Sequence, residues 1–262
     1  MMQRRSALSV NRAVVFALLL REMRTRFGMR RMGAFWILFE PIIHIVAIML
    51  VITVLRGRQL TGFDYPLFVL VGMVPYFLTR NIAIKLMDSV SANRSLFAYP
   101  NIRIFDTYVA RTLVESALYA CVFVIIMLGM WWFLDYDVTI RNPLAFFAIL
   151  LVGIGMSFGI GLILSVIVEA MPNSRMFVRF LFMPLYFLSC VLVPVWIIPR
   201  DLLHWALWNP WLHVLDGLRR SYFDNYPVTA GIGMYYPTIF TVVVIFVGMA
   251  LYHLRKRELL AI

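Results

Sequence analysis

Apolar stretches long enough to cross hydrocarbon alternate along the chain with short, polar and mostly basic connections. A helical crossing needs about 20 mostly apolar residues at 1.5 Å rise. The pattern places six of them at Gly33 to Leu55, Tyr65 to Lys85, Thr107 to Leu134, Pro143 to Val168, Phe177 to Val195 and Tyr235 to Leu254. Between the last two, "WIIPRDLLHWALWNPWLHVLDGLRRSYFDNYP" is apolar enough at its start to resemble a seventh, but Pro194, Pro199 and Pro210 break any continuous helix there. The pattern predicts short half-helices rich in interfacial Trp, then an amphipathic segment at the outer surface. Irregular backbone at that depth survives only where protein or a water-filled cavity covers it, so the region is expected to line a pathway.

Upstream of the first stretch, Val14, Val15, Leu18 and Leu19 recur at helical spacing, with Arg12, Arg21 and Arg24 placed to reach anionic headgroups. The apolar run "AVVFALLL" is only eight residues and no small-x-small cleavage site follows, so the segment predicts an uncleaved interfacial helix rather than a signal peptide. The fold class is all-α integral membrane: an interfacial helix over residues 1–32, a six-span bundle over 33–254 with outward-side re-entrant half-helices between spans five and six, and a tail over 255–262, in a single transmembrane domain.

Composition agrees, with 63% hydrophobic and 14% charged residues. Charges are expensive in hydrocarbon, so the few that fall inside apolar runs carry information. The net charge of +11 is almost all arginine, Lys85 and Lys256 being the two lysines. In a membrane chain such an excess marks the loops retained on the cytoplasmic side and does not point to nucleic acid. With the N-terminus inside, the cytoplasmic parts sum to +12 and the outer parts to zero. Both termini are therefore expected in the cytoplasm. Cys121 and Cys190 lie in apolar runs, form no CxxC, and indicate neither a disulfide framework nor a zinc site.

Four features carry candidate chemistry. "GMSFG", residues 155–159, fits the GxSxG pattern of serine hydrolases. That pattern needs a strand-turn-helix elbow with His and acid partners, whereas here Gly155 and Gly159, beside Gly153 and Gly161, make a smooth helix face that lets a neighbour approach. An intramembrane hydrolase acting through Ser157 is the reading from a different class. Glu40, Pro41 and His44 lie in the first span, the acid and the His one turn apart; they make either a helix-helix hydrogen bond at a proline kink or a contact with polar substrate. They are too few for a metal site. Near the end of the second span, snorkelling explains Lys85, while Arg80 lies about a turn deeper and suits an anionic ligand. Finally, "SANRSLFAYPNIRIFDTYVAR" sets Phe97 and Tyr99 among Arg94, Asn101 and Arg103, either as a docking surface or as a loop lying on headgroups, with Pro100 ending a short helix. No GxxxxGK[ST] phosphate loop occurs, so the chain is not expected to hydrolyse ATP itself.

Two passages resemble a known family. "LLREMRTRFGMRRMGAFWILFEPIIH" is similar to the opening of ABC-2 type permeases that export polysaccharides, a basic helix followed by a span that runs into Glu-Pro. "LVPVWIIPRDLLHWALWNPWLHVLDGLRRSYF" is similar to the C-terminal signature of the same family, with Asn209, Pro210, His213, Asp216 and Arg219 at the matching positions; Trp211 departs from the commoner aliphatic residue. Phe-Glu-Pro with a following His is most like the capsular polysaccharide exporters. The resemblance implies a permease homodimer with two copies of a cytoplasmic ATPase, which would bind ATP and Mg, and with periplasmic or outer-membrane capsule export proteins as further partners. It implies a lipid-linked acidic polysaccharide as substrate, with O-antigen or teichoic acid as the alternative cargo. It makes Arg94, Phe97, Tyr99, Asn101 and Arg103 the ATPase docking residues, and Glu40, His44, Tyr76, Arg80, Tyr186 and Trp196 the pathway between protomers. Asn209, His213, Asp216, Arg219 and Arg220 become an outer gate or a docking site, the acid lying three and four residues from two arginines on one helical face.

Overall fold

The computed structural model of the chain describes residues 7–27, 33–56, 59–60, 62–99 and 102–261. It begins with α1 (Ala7–Phe27), α2 (Gly33–Arg56), a hairpin of β1 (Gln59–Leu60) and β2 (Phe63–Asp64), α3 (Tyr65–Met87), and α4 (Ser89–Asn93) running into a 3-10 turn (Arg94–Ala98). Then come α5 (Ile104–Leu134), α6 (Pro143–Ala170), α7 (Ser174–Leu188), a 3-10 turn (Val195–Ile197), α8 (Arg200–Ala206), α9 (Pro210–Tyr222) and α10 (Tyr235–Ala261). Five described helices, α2, α3, α5, α6 and α10, are long and apolar enough to cross a membrane, making this a multi-pass membrane protein.

Helix α3 is the axis of the bundle: 78% of its most apolar window is buried, against 11% for α2, whose Ile43, Leu50, Val51 and Val54 face outward. Helix α6 packs against both α3 and α10. Its glycines permit this, as the spacing predicts: a Cβ on Gly159 would lie 2.7 Å from the Ile245 nitrogen, and one on Gly161 2.7 Å from the Leu86 Cβ. Helices α6 and α9 start alike. Asn142 and Asn209 each accept a backbone N–H through the side-chain oxygen, from Ala145 at 3.2 Å and Trp211 at 3.1 Å, and a proline occupies the next position, where its missing N–H costs nothing.

The expected fifth span differs from the pattern. Helix α7 has 15 residues, about 22 Å at 1.5 Å per residue. It stops before Ser189, and Cys190 turns the chain with a left-handed φ of 55°. β-Branched Val191, Val193 and Val195 follow around Pro194, which disfavours helix at the residue before it. The segment still runs antiparallel to the whole of α3. Arg179 pairs with Asp88 at 2.6 Å, the Tyr76 hydroxyl donates to the Phe182 carbonyl at 2.7 Å, and the Tyr65 hydroxyl donates to the Leu192 carbonyl at 2.6 Å.

Two further expectations change. Helix α1 packs along α5, with Leu18 buried, and Arg21 reaches Asn93 Oδ1 at 2.7 Å instead of pointing to headgroups; Arg12 and Arg24 remain exposed. Helix α9 is not a surface segment. Leu212, His213, Asp216, Leu218 and Arg219 are buried against α3 and α6, and Arg220 stays exposed.

Candidate functional site

A cavity of about 530 Å³ opens between α1, α2, α3 and α5. Its wall brings together three of the six residues expected along the pathway, Glu40 and His44 from α2 and Arg80 from α3. Pro41 lies between the first two and has no N–H to donate, so the Ile37 carbonyl, also on the wall, loses its usual intrahelical partner. Arg80 sits about 10 Å before the end of α3. Its guanidinium has no ion pair or hydrogen bond among the described residues, and neither has the Lys85 ammonium below it.

The wall also holds residues that the sequence reading passed over: Arg26, Asn81, Glu115 and Tyr119. Their signal was spacing. Glu115 and Tyr119 share a face of α5 one turn apart, and Asn81 follows Arg80 directly. Unlike Arg80, these groups are satisfied. Arg26 pairs with Glu115 at 2.6 Å and with Glu22 at 3.2 Å; Glu22 also meets Arg111 at 3.4 Å, and Arg111 donates to the Lys85 carbonyl at 2.6 Å. Asn81 donates to the Tyr119 hydroxyl at 2.7 Å. The α1–α5 wall is thus internally neutralised, and the unpaired cations lie on α3.

From His44 a run of rings leads away from this cavity. His44 meets Phe77 edge-on with centroids 5.5 Å apart, and Phe77 stacks on Tyr186 at 5.8 Å. Tyr186 is half-buried, and its hydroxyl lacks a hydrogen-bond partner among the described residues. Tyr76 touches Tyr186 at 5.2 Å but is itself 1% exposed, its hydroxyl committed to the Phe182 carbonyl, so it supports the wall from behind. Trp196 is elsewhere, packed edge-on against Phe63 and Tyr226 at the opposite end of α3.

The docking segment folds as a short helix that begins at Ser89 and runs into the 3-10 turn. Phe97 is packed against the core while Tyr99 is 62% exposed, so the two aromatics part company. Arg94 pairs with Glu169, and exposed Arg103 caps α5 by donating its backbone N–H to Asp106 at 3.0 Å. Pro100 and Asn101 lie outside the described residues.

The C-terminal signature residues do not form the exposed ion pair that their spacing allows. Arg219 is fully buried; its two terminal nitrogens donate to the Cys190 carbonyl at 2.8 Å and to the Val191 carbonyl, and its guanidinium lies 3.6 Å over the Phe68 ring. Asp216 accepts from the Tyr226 hydroxyl at 2.9 Å. His213 receives the Gly233 N–H at Nδ1, so its proton sits on Nε2 and is donated to the Leu207 carbonyl at 2.8 Å. Asn209 Nδ2 donates to the Ser189 hydroxyl at 2.9 Å. These contacts fasten the irregular backbone between α7 and α9 from inside the protein. Ser157, in turn, is buried with its hydroxyl unpartnered among the described residues, so no base stands ready to activate it.

Residues 13–223 match the ABC-2 type transporter family. The polysialic acid transport protein KpsM of Escherichia coli is 34% identical over 98% of each chain. The capsule polysaccharide export inner-membrane protein CtrC of Neisseria meningitidis serogroup A is 30% identical over 93% of this chain and 91% of its own, and BexB of Haemophilus influenzae, of the same description, is 28% identical over 86% and 84%. A match over most of the chain, together with a relative above 30% identity along its whole length, makes this chain a member of the ABC-2 type transporter family.

Proposed function

We propose that the chain is the membrane-spanning permease subunit of an ATP-driven exporter that moves a lipid-linked acidic capsular polysaccharide across the bacterial inner membrane. The observation that carries this is the cavity on α3, where Arg80 and Lys85 present unpaired cations beside His44 and an aromatic run. An anionic polymer satisfies such cations, and sugar faces stack on rings. The export of capsule polysaccharide named for the relatives fits the same chemistry.

The reading includes six crossings with both termini cytoplasmic. Contacts of α7 and its extended continuation with Asp88, Tyr76 and Tyr65 span the length of α3 and support a sixth crossing built from a short helix plus irregular chain. The basic loops then share one side. A homodimer buries the outward face of α2, and two cytoplasmic ATPase subunits, which bind ATP and Mg, dock on Tyr99 and its neighbours. Periplasmic or outer-membrane capsule export proteins complete the route. The test is deletion of the gene in its host, with complementation. Polysaccharide accumulates inside deleted cells, wild type restores surface display, and Arg80→Gln at equal abundance does not. Normal surface polysaccharide in the deletion strain refutes the reading.

A further inference from the structure

The chain before α10 folds back over α9 and leaves a second cavity between them and the start of α6. Gly217 permits the approach, since a Cβ there would lie 2.9 Å from the Met234 sulfur, and the Gly233 N–H is fixed on His213 Nδ1 at 3.2 Å. The cavity measures about 200 Å³ and is lined by Asn142 and Ile149 of α6, Asp216 and Arg220 of α9, and Gly233 and Met234. That is well beyond the room a single structural water needs.

Its two charges have opposite sign and are not joined. Asp216 and Arg220 stand one helical turn apart, yet no ion pair forms between them. Asp216 is 1% exposed; its Oδ1 accepts from the Tyr226 hydroxyl at 2.9 Å, while Oδ2 has no donor among the described residues. The terminal torsion of an aspartate is broad, so a small rotation presents that second oxygen to the cavity. Arg220 is exposed, and its guanidinium has no ion pair or hydrogen bond among the described residues. A buried carboxylate oxygen without a donor is costly, and a donor arriving in the cavity relieves it. The cavity lies at the end of the bundle where two membrane-crossing helices begin, α6 at Pro143 and α10 at Tyr235. This is the level of lipid headgroups, and the neighbouring Leu144, Phe147 and Tyr235 offer exposed apolar surface to acyl chains.

We propose that this cavity binds the zwitterionic headgroup of a phospholipid with a primary amine, of the phosphatidylethanolamine class, its phosphate on Arg220 and its ammonium on Asp216. A ligand carrying both charges answers both side chains with charge-assisted hydrogen bonds. An anionic headgroup answers Arg220 but brings like charge to Asp216, and an acidic polysaccharide does the same, so the export substrate is not the ligand here. A quaternary ammonium has no N–H to donate to the carboxylate, whereas a primary ammonium has three. The bound headgroup ties the start of α6 to α9, the helix whose Arg219 holds the irregular chain at Cys190, and so stabilises this end of the bundle.

The experiment is native mass spectrometry of the full-length chain in detergent, stripped of co-purified lipid and titrated with phosphatidylethanolamine, phosphatidylcholine and phosphatidylglycerol of the same acyl chains. Phosphatidylethanolamine should bind at least about tenfold more tightly than the other two, the effect of one charge-assisted hydrogen bond. Arg220→Gln, a change to an exposed side chain, and Asp216→Asn, which keeps an oxygen for Tyr226, should each abolish that preference. Equal affinity for the three lipids, or a preference that survives the substitutions, overturns the site. Should Asp216→Asn not fold, Arg220→Gln decides alone. Soluble O-phosphoethanolamine should compete at least about tenfold less well than the lipid, because it lacks chains to lie on Leu144 and Phe147. Equal competition by the soluble compound overturns the assignment to a lipid.

Discussion

Gly72 stands where α3 passes the buried guanidinium of Arg219, and a single methyl group there tests the reading of that charge. A Cβ on Gly72 would collide with Arg219 Nη2 and lie 2.8 Å from the Val191 carbonyl oxygen. Arg219 cannot swing aside cheaply, since both terminal nitrogens are bound to carbonyls and the group rests on Phe68. Gly72→Ala therefore trades one methyl for two charge-assisted hydrogen bonds, each worth about 1.5–3 kcal/mol, and we expect a loss of about 4 kcal/mol. At about 2–4 °C per kcal/mol this lowers the apparent melting temperature of the purified protein by roughly 8–16 °C, read by the fluorescence of the folded fraction after heating. The loss should not add to that of Arg219→Ala, because removing the guanidinium empties the space the methyl needs. A Gly72→Ala protein that melts within about 2 °C of wild type, or strict additivity of the two changes, refutes the wedge.

Three other outcomes follow from the same contacts. Gly159→Leu, placed against the Val244 and Ile245 backbone, should sharply reduce membrane abundance, measured by immunoblot, whereas Gly129→Leu, with open space around it, should not. Phe97→Ala should cost about 2–4 kcal/mol of stability through lost core packing, while Tyr99→Ala leaves stability intact and loses co-purified ATPase, since one ring points in and the other out. Ser157→Ala should leave polysaccharide export unchanged, because its hydroxyl has neither a base nor a route to substrate.

Much of the bundle was legible from period and composition, because a long apolar run has one outcome in a bilayer. The bounds of α2, α3 and α6 fall close to the apolar runs, whereas α10 continues helically from the expected end at Leu254 to Ala261, and the glycine face of α6 meets α10 as its spacing predicts. Asn-Pro was legible as a pattern but not as two side-chain-capped helix starts, which need the cap geometry. What the pattern lost was burial inside a membrane chain. Spacing alone makes Asp216 and Arg219 an exposed pair on an amphipathic helix, and nothing local reveals that Gly72, far away in sequence, leaves a slot for the guanidinium. The same limit hid Arg21, whose partner Asn93 lies 72 residues on, and the inward turn of Phe97, two residues from an exposed Tyr99.

The arginines of this bundle show why an intramembrane charge has to be judged by its partners. Arg111 is buried, but Glu22 and the Lys85 carbonyl answer it; Arg219 is more deeply buried, and two carbonyls and a ring answer it. Each satisfies backbone or carboxylate that would otherwise be buried without a partner, so each is explained by folding alone. Arg80 has no such explanation: it lies within a span, beside a cavity, and no carboxylate or carbonyl of the described chain meets it. A cation left without a protein partner beside an open cavity is free to meet an anion, as the proposed role of Arg80 requires. Eight residues, about 12 Å of α3, separate the glycine that seats Arg219 from Arg80. One helix thus anchors the irregular chain at one end of the bundle and presents the unpaired charge toward the other.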